Sequence, residues 1–320
     1  MFIFKTIINL KFNKMKKTTL ITGLAVMMGL FTLSSCEKEE DEMTPISEMT
    51  IAQYASAEDD FSILVEALSK ANLVSALNGD GNFTVFAPTN AAFTQLFTQL
   101  GVSGIADLSA ETLTPILLYH VLGEEKKSNM LAEGYYSTIS PAQGNYSALK
   151  VGLTSGVKIN KEASVITADV DVKNGVIHAI DKVLLPPTVV DHALNNESFS
   201  ILVQAVVKAG LVETLKGAGP FTIFAPTNEA FEALFTALNV TGVNDLTAEQ
   251  LTPILLYHVV SGNVRSNQLT AGSVGTLNGD NDVTLTPTPK INGTANIIAT
   301  DVQAANGVIH VIDEVLIPQE

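Results

Sequence analysis

The chain has 320 residues, 33 acidic against 18 basic, for a formal net charge of −15, with a single cysteine and no tryptophan. An acidic surface with no basic aromatic patch repels nucleic acid and anionic lipid, which excludes nucleic acid as a partner. One cysteine excludes an internal disulfide, and 46% apolar residues suffice for two ordinary cores.

Residues 1–35 read as an address. Met15, Lys16 and Lys17 form a basic start, Thr18 to Leu33 is an apolar run shorter than the ~20 residues of a spanning helix, and Leu33-Ser34-Ser35-Cys36 resembles a lipoprotein cleavage box. Cys36 is thus expected to carry lipid and to begin the mature chain, and Met15, rather than Met1, to be the start of translation. A plain cleaved secretory signal is the alternative. On the lipoprotein reading the protein is expected in a bacterial cell envelope, lipid-anchored, in the outer membrane on its surface or periplasmic face. Residues 36–44 contain EKEEDE, a charge block that cannot bury itself and serves as a tether. The first 35 residues hold five lysines and no acids, leaving 13 basic against 33 acidic residues, hence −20.

Each following segment occurs twice. Helical spacing runs over residues 49–57 and 61–77 (Phe61, Leu64, Val65, Leu68) and again over 188–215 (Phe199, Leu202, Val203, Val206). FTVFAPTNAAF at 83–93 returns as FTIFAPTNEAF at 221–231. There an apolar strand ends at Pro88 or Pro226, and Thr89 or Asn90 (Thr227 or Asn228) caps a helix. LTPILLYHV at 113–121 returns unchanged at 251–259; Ser109 and Thr247 cap this helix, Thr247 with Gln250 as a capping box, and Pro115 and Pro253 kink or restart it. NGVIHAID at 174–181 becomes NGVIHVID at 306–313, within runs of short β-branched strands. Asn278-Gly279 signals a hairpin in the second copy. Pro88 to Pro226 and His120 to His258 are both 138 apart, but His178 to His310 is 132. The first copy therefore carries six extra residues beyond Asn129. Solenoid repeats run roughly 20 to 50 residues, so a repeat of this length is a whole domain. Helices first and strands later give an α+β unit, with domains at 45–187 and 188–320 joined by the stiff Pro186-Pro187 pair.

The FAPTN corner, the Tyr-His pair and the NGVIHxID strand, in that order, resemble the fasciclin domain family. The resemblance implies two tandem domains, each a β-sandwich wedge with packed helices. It also implies a role in adhesion to extracellular matrix, cell-surface protein or polysaccharide, with no catalysis and no cofactor. In animal members an Asp-Ile pair before the last block is associated with integrin binding. Asp169-Val170 and Asp301-Val302 occupy those positions with valine for isoleucine, so that activity is not carried over.

Chemistry is scarce. His120 and His258 share a helix face with leucines, and His178 and His310 alternate with Val176 and Ile180 and with their copies, so all four read as buried imidazoles bonded to backbone. With Tyr119 and Tyr257 they are alternatively adhesive or pH-responsive positions. His192 stands where the first copy has Tyr54 and reads as incidental. No nucleophile or metalloprotease motif, Walker loop or dinucleotide fingerprint occurs, and the Asn-Gly-Asp turns lack calcium-loop spacing, so no metal is expected. The competing reading is an envelope protein that captures or processes polysaccharide, with a cleft at the Tyr-His helix; the lack of tryptophan for sugar stacking weighs against it.

Overall fold

The computed structural model describes residues 44–279, 282–286 and 290–318; Met15, Cys36 and nearly all of the acidic tether lie outside the described residues. The chain builds one unit twice. In the first copy α1 (Ile51–Ala57), α2 (Ser62–Lys70), α3 (Val74–Asn78), β1 (Phe83–Pro88), α4 (Asn90–Leu100) and α5 (Ala110–Tyr119) precede six more strands. These are β2 (Val121–Leu122), β3 (Gly134–Ala142), β4 (Asn145–Gly152), β5 (Lys158–Ile159), β6 (Ala163–Val172) and β7 (Gly175–Ile180). The second copy repeats the order: α6 (Val189–Leu194), α7 (Ser200–Lys208), α8 (Val212–Lys216), β8 (Phe221–Pro226), α9 (Asn228–Leu238) and α10 (Ala248–Tyr257). Its remaining strands are β9 (Val259–Ser261), β10 (Gly272–Gly275), β11 (Asp282–Leu285), β12 (Lys290–Ile291), β13 (Ala295–Ala304) and β14 (Gly307–Ile312).

Local chemistry sets most of these boundaries. Thr50 caps α1 and Thr188 caps α6, each in a reciprocal capping box, with Gln53 and Asp191. A single helix over 61–77 is not what forms. The chain breaks after α2 at Asn72, which takes φ 58°, and at its counterpart Gly210, φ 69°, the left-handed stop that asparagine and glycine tolerate best. Pro115 does not restart its helix, since α5 runs unbroken from Ala110 to Tyr119. Pro115 sits after the first turn, and its carbonyl accepts from Ser140 Oγ at 2.8 Å.

The strands curl into one closed ladder, β1-β2-β3-β4-β5-β6-β7, with β7 returning to β1. β1 runs parallel to β7, from Phe83 opposite Gly175 to Pro88 opposite Ile180. A central parallel strand must be covered on both faces, and β1 is buried along nearly all its length: Val85 and Ala87 face the helices, Phe86 the inside of the curl. The long strands β3 and β6 pass from one side of the curl to the other through register shifts at Ser137/Pro141 and at Val165/Thr167/Val170. Those bulges supply the bend that makes two layers from one sheet. In the second copy the order is β10-β11-β12-β13-β14-β8-β9, with a bridge from Val260 to Thr276 where the first copy pairs Leu122 with Thr138.

The six-residue difference between copies falls on strands that the pattern of residues 134–142 did not announce. Gly134 pairs with Val151, 17 positions on, whereas Gly272 pairs with Leu285, 13 on. Four of the extra residues thus lengthen the β3–β4 hairpin, and two lie between β4 and β5. The hairpin turns through Gln143 (φ 47°) and Gly144 (φ 78°), positive at both central residues as a type I′ turn requires. Asn278-Gly279 lies between the paired strands β10 and β11, as its hairpin signal predicts, but in a wider connection. Pairing stops at Gly275 and Asp282, and Thr276 bridges to Val260.

The lengthened hairpin lies against the second copy. Ala148 belongs to the core cluster of Val189, Val190 and Phe199, and the Tyr135 ring packs on that cluster. Lys150 Nζ donates to Asn196 Oδ1 at 2.9 Å, and Gln143 Nε2 donates to the Ala305 carbonyl at 3.2 Å.

Candidate functional site

The proline corner is a clamp. Thr89 is the cap of α4, accepting from Ala92 N, and Asn90 is already helical. Its side chain is used elsewhere: Oδ1 accepts from Ile63 N at 2.9 Å and Nδ2 donates to the Asp59 carbonyl at 2.9 Å, which pins the start of α2. Thr227 and Asn228 repeat this with Ile201 N (3.0 Å) and the Glu197 carbonyl (2.9 Å). β1 ends at Pro88, the last residue in register with β7, and Thr89 N then donates to the Ile180 carbonyl at 3.2 Å as the chain turns into α4.

The Tyr-His pairs sit at the end of α5 and α10. Tyr119 OH donates to the Ala148 carbonyl at 2.8 Å and accepts from Asn160 Nδ2 at 2.9 Å; burial pushes its phenol well above the ordinary range. Tyr257 makes the same pair of bonds with the Asp282 carbonyl and Asn292. His120 Nδ1 donates to the Ile116 carbonyl at 2.7 Å and Nε2 accepts from Leu184 N at 2.8 Å. His258 does so with the Ile254 carbonyl and Leu316 N, at 2.8 and 2.9 Å. Only the neutral Nδ1–H tautomer fits, because a proton on Nε2 would face an amide N–H. Burial holds both imidazoles down to about 4. Neither ring has a nitrogen free to move a proton.

A second constellation joins β6, β7 and the β2–β3 connection. Asp169, in the β6 bulge, has φ 61°, and its N–H donates to His178 Nδ1 at 3.2 Å. His178 Nε2 donates to the Lys126 carbonyl at 2.9 Å, and Asp169 Oδ1 accepts from Ser128 N at 2.7 Å. Burial raises the Asp169 pKa, but the bonds from Ser128 outweigh it and leave the carboxyl below its usual range. In the second copy Asp301 (φ 63°) accepts from Ser266 N at 2.8 Å and from Ser266 Oγ. His310 Nε2 donates to the Val264 carbonyl at 2.9 Å, while burial lowers its pKa. A left-handed aspartate is strained, and here histidine and serine hold it. The Asp-Val pairs split accordingly: the aspartates turn outward onto serine, Val302 is buried and Val170 half-buried. Beside the bulge Ile166 and Ile298 are each 56% exposed.

Three features escaped the residue patterns. Asn174, 3% exposed, accepts from Ile51 N at 2.9 Å and donates to the Leu77 and Gly79 carbonyls, both at 2.8 Å. Asn306 ties Val189 N, Leu215 O and Gly217 O alike. Its recurrence before glycine was the available signal. Gly175 follows at φ 149°, where a Cβ would lie 2.0 Å from the Phe83 carbonyl oxygen. His192 is not incidental: it is fully buried, its Nε2 lies 3.2 Å from the Gln303 carbonyl, and its ring meets Tyr135 edge-on at 5.6 Å. Burial lowers its pKa to about 4. The hairpin residues around Tyr135 complete this contact between copies.

Among the described residues no group of three or more histidine, cysteine or acidic side chains is placed to hold a metal ion. No helix among them is long and apolar enough to cross a membrane.

The chain is thus a duplicated α+β unit in which Tyr119, His120, Tyr257 and His258 are each bonded to main chain. A fasciclin domain model matches residues 59–186 and again 197–318, so the chain belongs to the fasciclin domain family. Protein sll1483 of Synechocystis sp. is 44% identical over 132 residues, 41% of this chain and 73% of that protein. Transforming growth factor-beta-induced protein ig-h3 of Sus scrofa is 32% identical over 292 residues, 87% of this chain but 39% of that protein, so the chain spans well under half of this relative. A solved FAS1 domain pair from the insect cell adhesion molecule Fasciclin I aligns with 83% of this chain and 95% of its own, at 18% identity and a TM-score of 0.46.

Proposed function

We propose that this is a non-catalytic adhesion module, held on a bacterial envelope through lipid on Cys36, with domains dividing near Pro187. Its contact face for extracellular protein is the bulged strand, β6 in one domain and β13 in the other. The observation that carries this reading is the pair Ile166 and Ile298, each 56% exposed at the same place beside a braced aspartate. An isolated exposed aliphatic needs no explanation, but the same one presented twice on a strained, supported bulge does. Family membership supports the adhesive role. Two such faces in one chain gain avidity when a partner offers both sites.

The soluble chain from Met43 onward, applied to arrayed extracellular proteins and glycans, should bind protein. Ile166→Asp with Ile298→Asp should weaken that binding tenfold or more, since each site forfeits about 1.5–3 kcal/mol of apolar burial, while the melting curve stays put. Binding to glycans alone, or binding that survives both substitutions, rejects this face. Separately, Cys36→Ala should move the protein from the membrane fraction to the soluble one; a mutant that still partitions into detergent refutes the anchor.

A further inference from the structure

The second domain holds an apolar pocket that the first domain fills. It lies among α6, α7 and α8 and measures about 110 Å³; Val189, Leu202, Val206, Leu215 and Leu255 wall it and the His258 ring forms part of the floor. Both His258 nitrogens are bonded to main chain, so the ring offers the pocket no free polar atom. A water there would lack the two to four partners it needs.

The duplication supplies an internal comparison. The corresponding space in the first domain, bounded by Ile51, Leu64, Leu68, Leu77 and Leu117 with His120, is about 20 Å³. Where the first domain has Ile51 and Leu68, the second has the shorter Val189 and Val206. Tyr54 lines the first space, its ring 6.3 Å from Phe61. Its counterpart His192 turns away onto Tyr135 in the contact between domains. At the mouth, Ser56 and Ser69 of the first domain become Leu194 and Val207, 47% and 60% exposed. The second groove thus lacks the ring that Tyr54 lends the first, His192 packing on Tyr135 instead, and serines give way to Leu194 and Val207 beside it.

We propose that this pocket binds a small apolar molecule, one ring or branched alkyl group of about benzene size. Apolar cavities of roughly 150 Å³ stay dry and take up benzene, and this one is of that order. The exposed apolar rim is two side chains wide, far short of the roughly 800 Å² per partner that a stable protein interface covers. This inference is independent of the adhesive reading.

The full chain, ¹⁵N-labelled, is titrated with benzene and with phenol and followed by amide NMR shifts. Saturable shifts confined to the pocket's own elements, α6, α7, α8 and the end of α10, are expected for benzene, with phenol at least tenfold weaker because its hydroxyl finds no partner. Val189→Ile with Val206→Leu, which installs the first domain's residues, should abolish the saturable response. Leu194→Ser with Val207→Ser should weaken it while leaving the pocket in place, and serves if the first pair disturbs folding. No saturable benzene shift in the second domain overturns the proposal. So does an equal response in α1 to α3, phenol binding as well as benzene, or a response untouched by both pairs of substitutions.

Discussion

Asn174→Ala should destabilise the first domain by about 3–5 kcal/mol, because it orphans three main-chain groups, each costing roughly 1–3 kcal/mol when left unpaired. Those groups come from two segments: Ile51 N opens α1, and the Leu77 and Gly79 carbonyls close α3. One amide therefore fastens the helical layer to the start of β7. Asn174→Asp is the sharper variant. It keeps the acceptor for Ile51 N but turns a carboxylate oxygen toward two carbonyls, so it should be at least as damaging. Asn306 makes the equivalent bonds and should give an equal loss in the second domain. Denaturant melts of the variants, with the exposed Gln99→Ala as a control expected within about 0.5 kcal/mol, decide the matter. A loss under 1 kcal/mol for Asn174→Ala would mean that the tie contributes little.

Lowering the pH from 7.5 to 5.5 should cost the whole chain about 4 kcal/mol, most of it through His120, His192 and His258. Each is held down to about 4 by burial, against ~6.5 in the unfolded chain. The unfolded state therefore takes up the proton first. The stability that each neutral ring supplies is complete above ~6.5 and drains away as pH falls from there toward 4. At pH 5.5, one unit below the unfolded value, each contributes a loss of about 1.3 kcal/mol. His310, whose pKa burial also lowers, adds in the same direction. Asp169 and Asp301 have depressed pKa values, so their contribution stands above ~3.9 and is lost only at lower pH, outside this window. The triple variant His120→Gln, His192→Gln, His258→Gln should be weaker at pH 7.5 yet much flatter between the two pH values. A slope equal to that of the unsubstituted chain would assign the acid sensitivity to other groups.

Reading residues alone went far where information is local or repeated. FAPTN, LTPILLYHV and NGVIHxID, each present twice, were enough for the duplication, the α+β class and the family. Thr89, Ser109 and Thr247 could be read as caps because a cap depends on residues three positions away. The break at Asn72 was missed because a left-handed stop competes with an apolar spacing that runs straight through it.

Other outcomes depended on residues far apart in the chain. That Asn90 clamps Asp59 and Ile63, or that Asn174 reaches Leu77, follows from where the sheet brings the strand ends, and no spacing rule encodes it. His192 looked incidental beside Tyr54 because its partner, Tyr135, sits in the hairpin lengthened by the insertion. The arithmetic of the repeat located extra residues after Asn129; only packing showed that this hairpin reaches the other domain. A single helix position thus became a buried contact in one copy and a groove filler in the other. The reason is physical: burial and hydrogen-bond partners are properties of contacts across the fold, whereas caps, turns and periodicity are properties of neighbours along the chain.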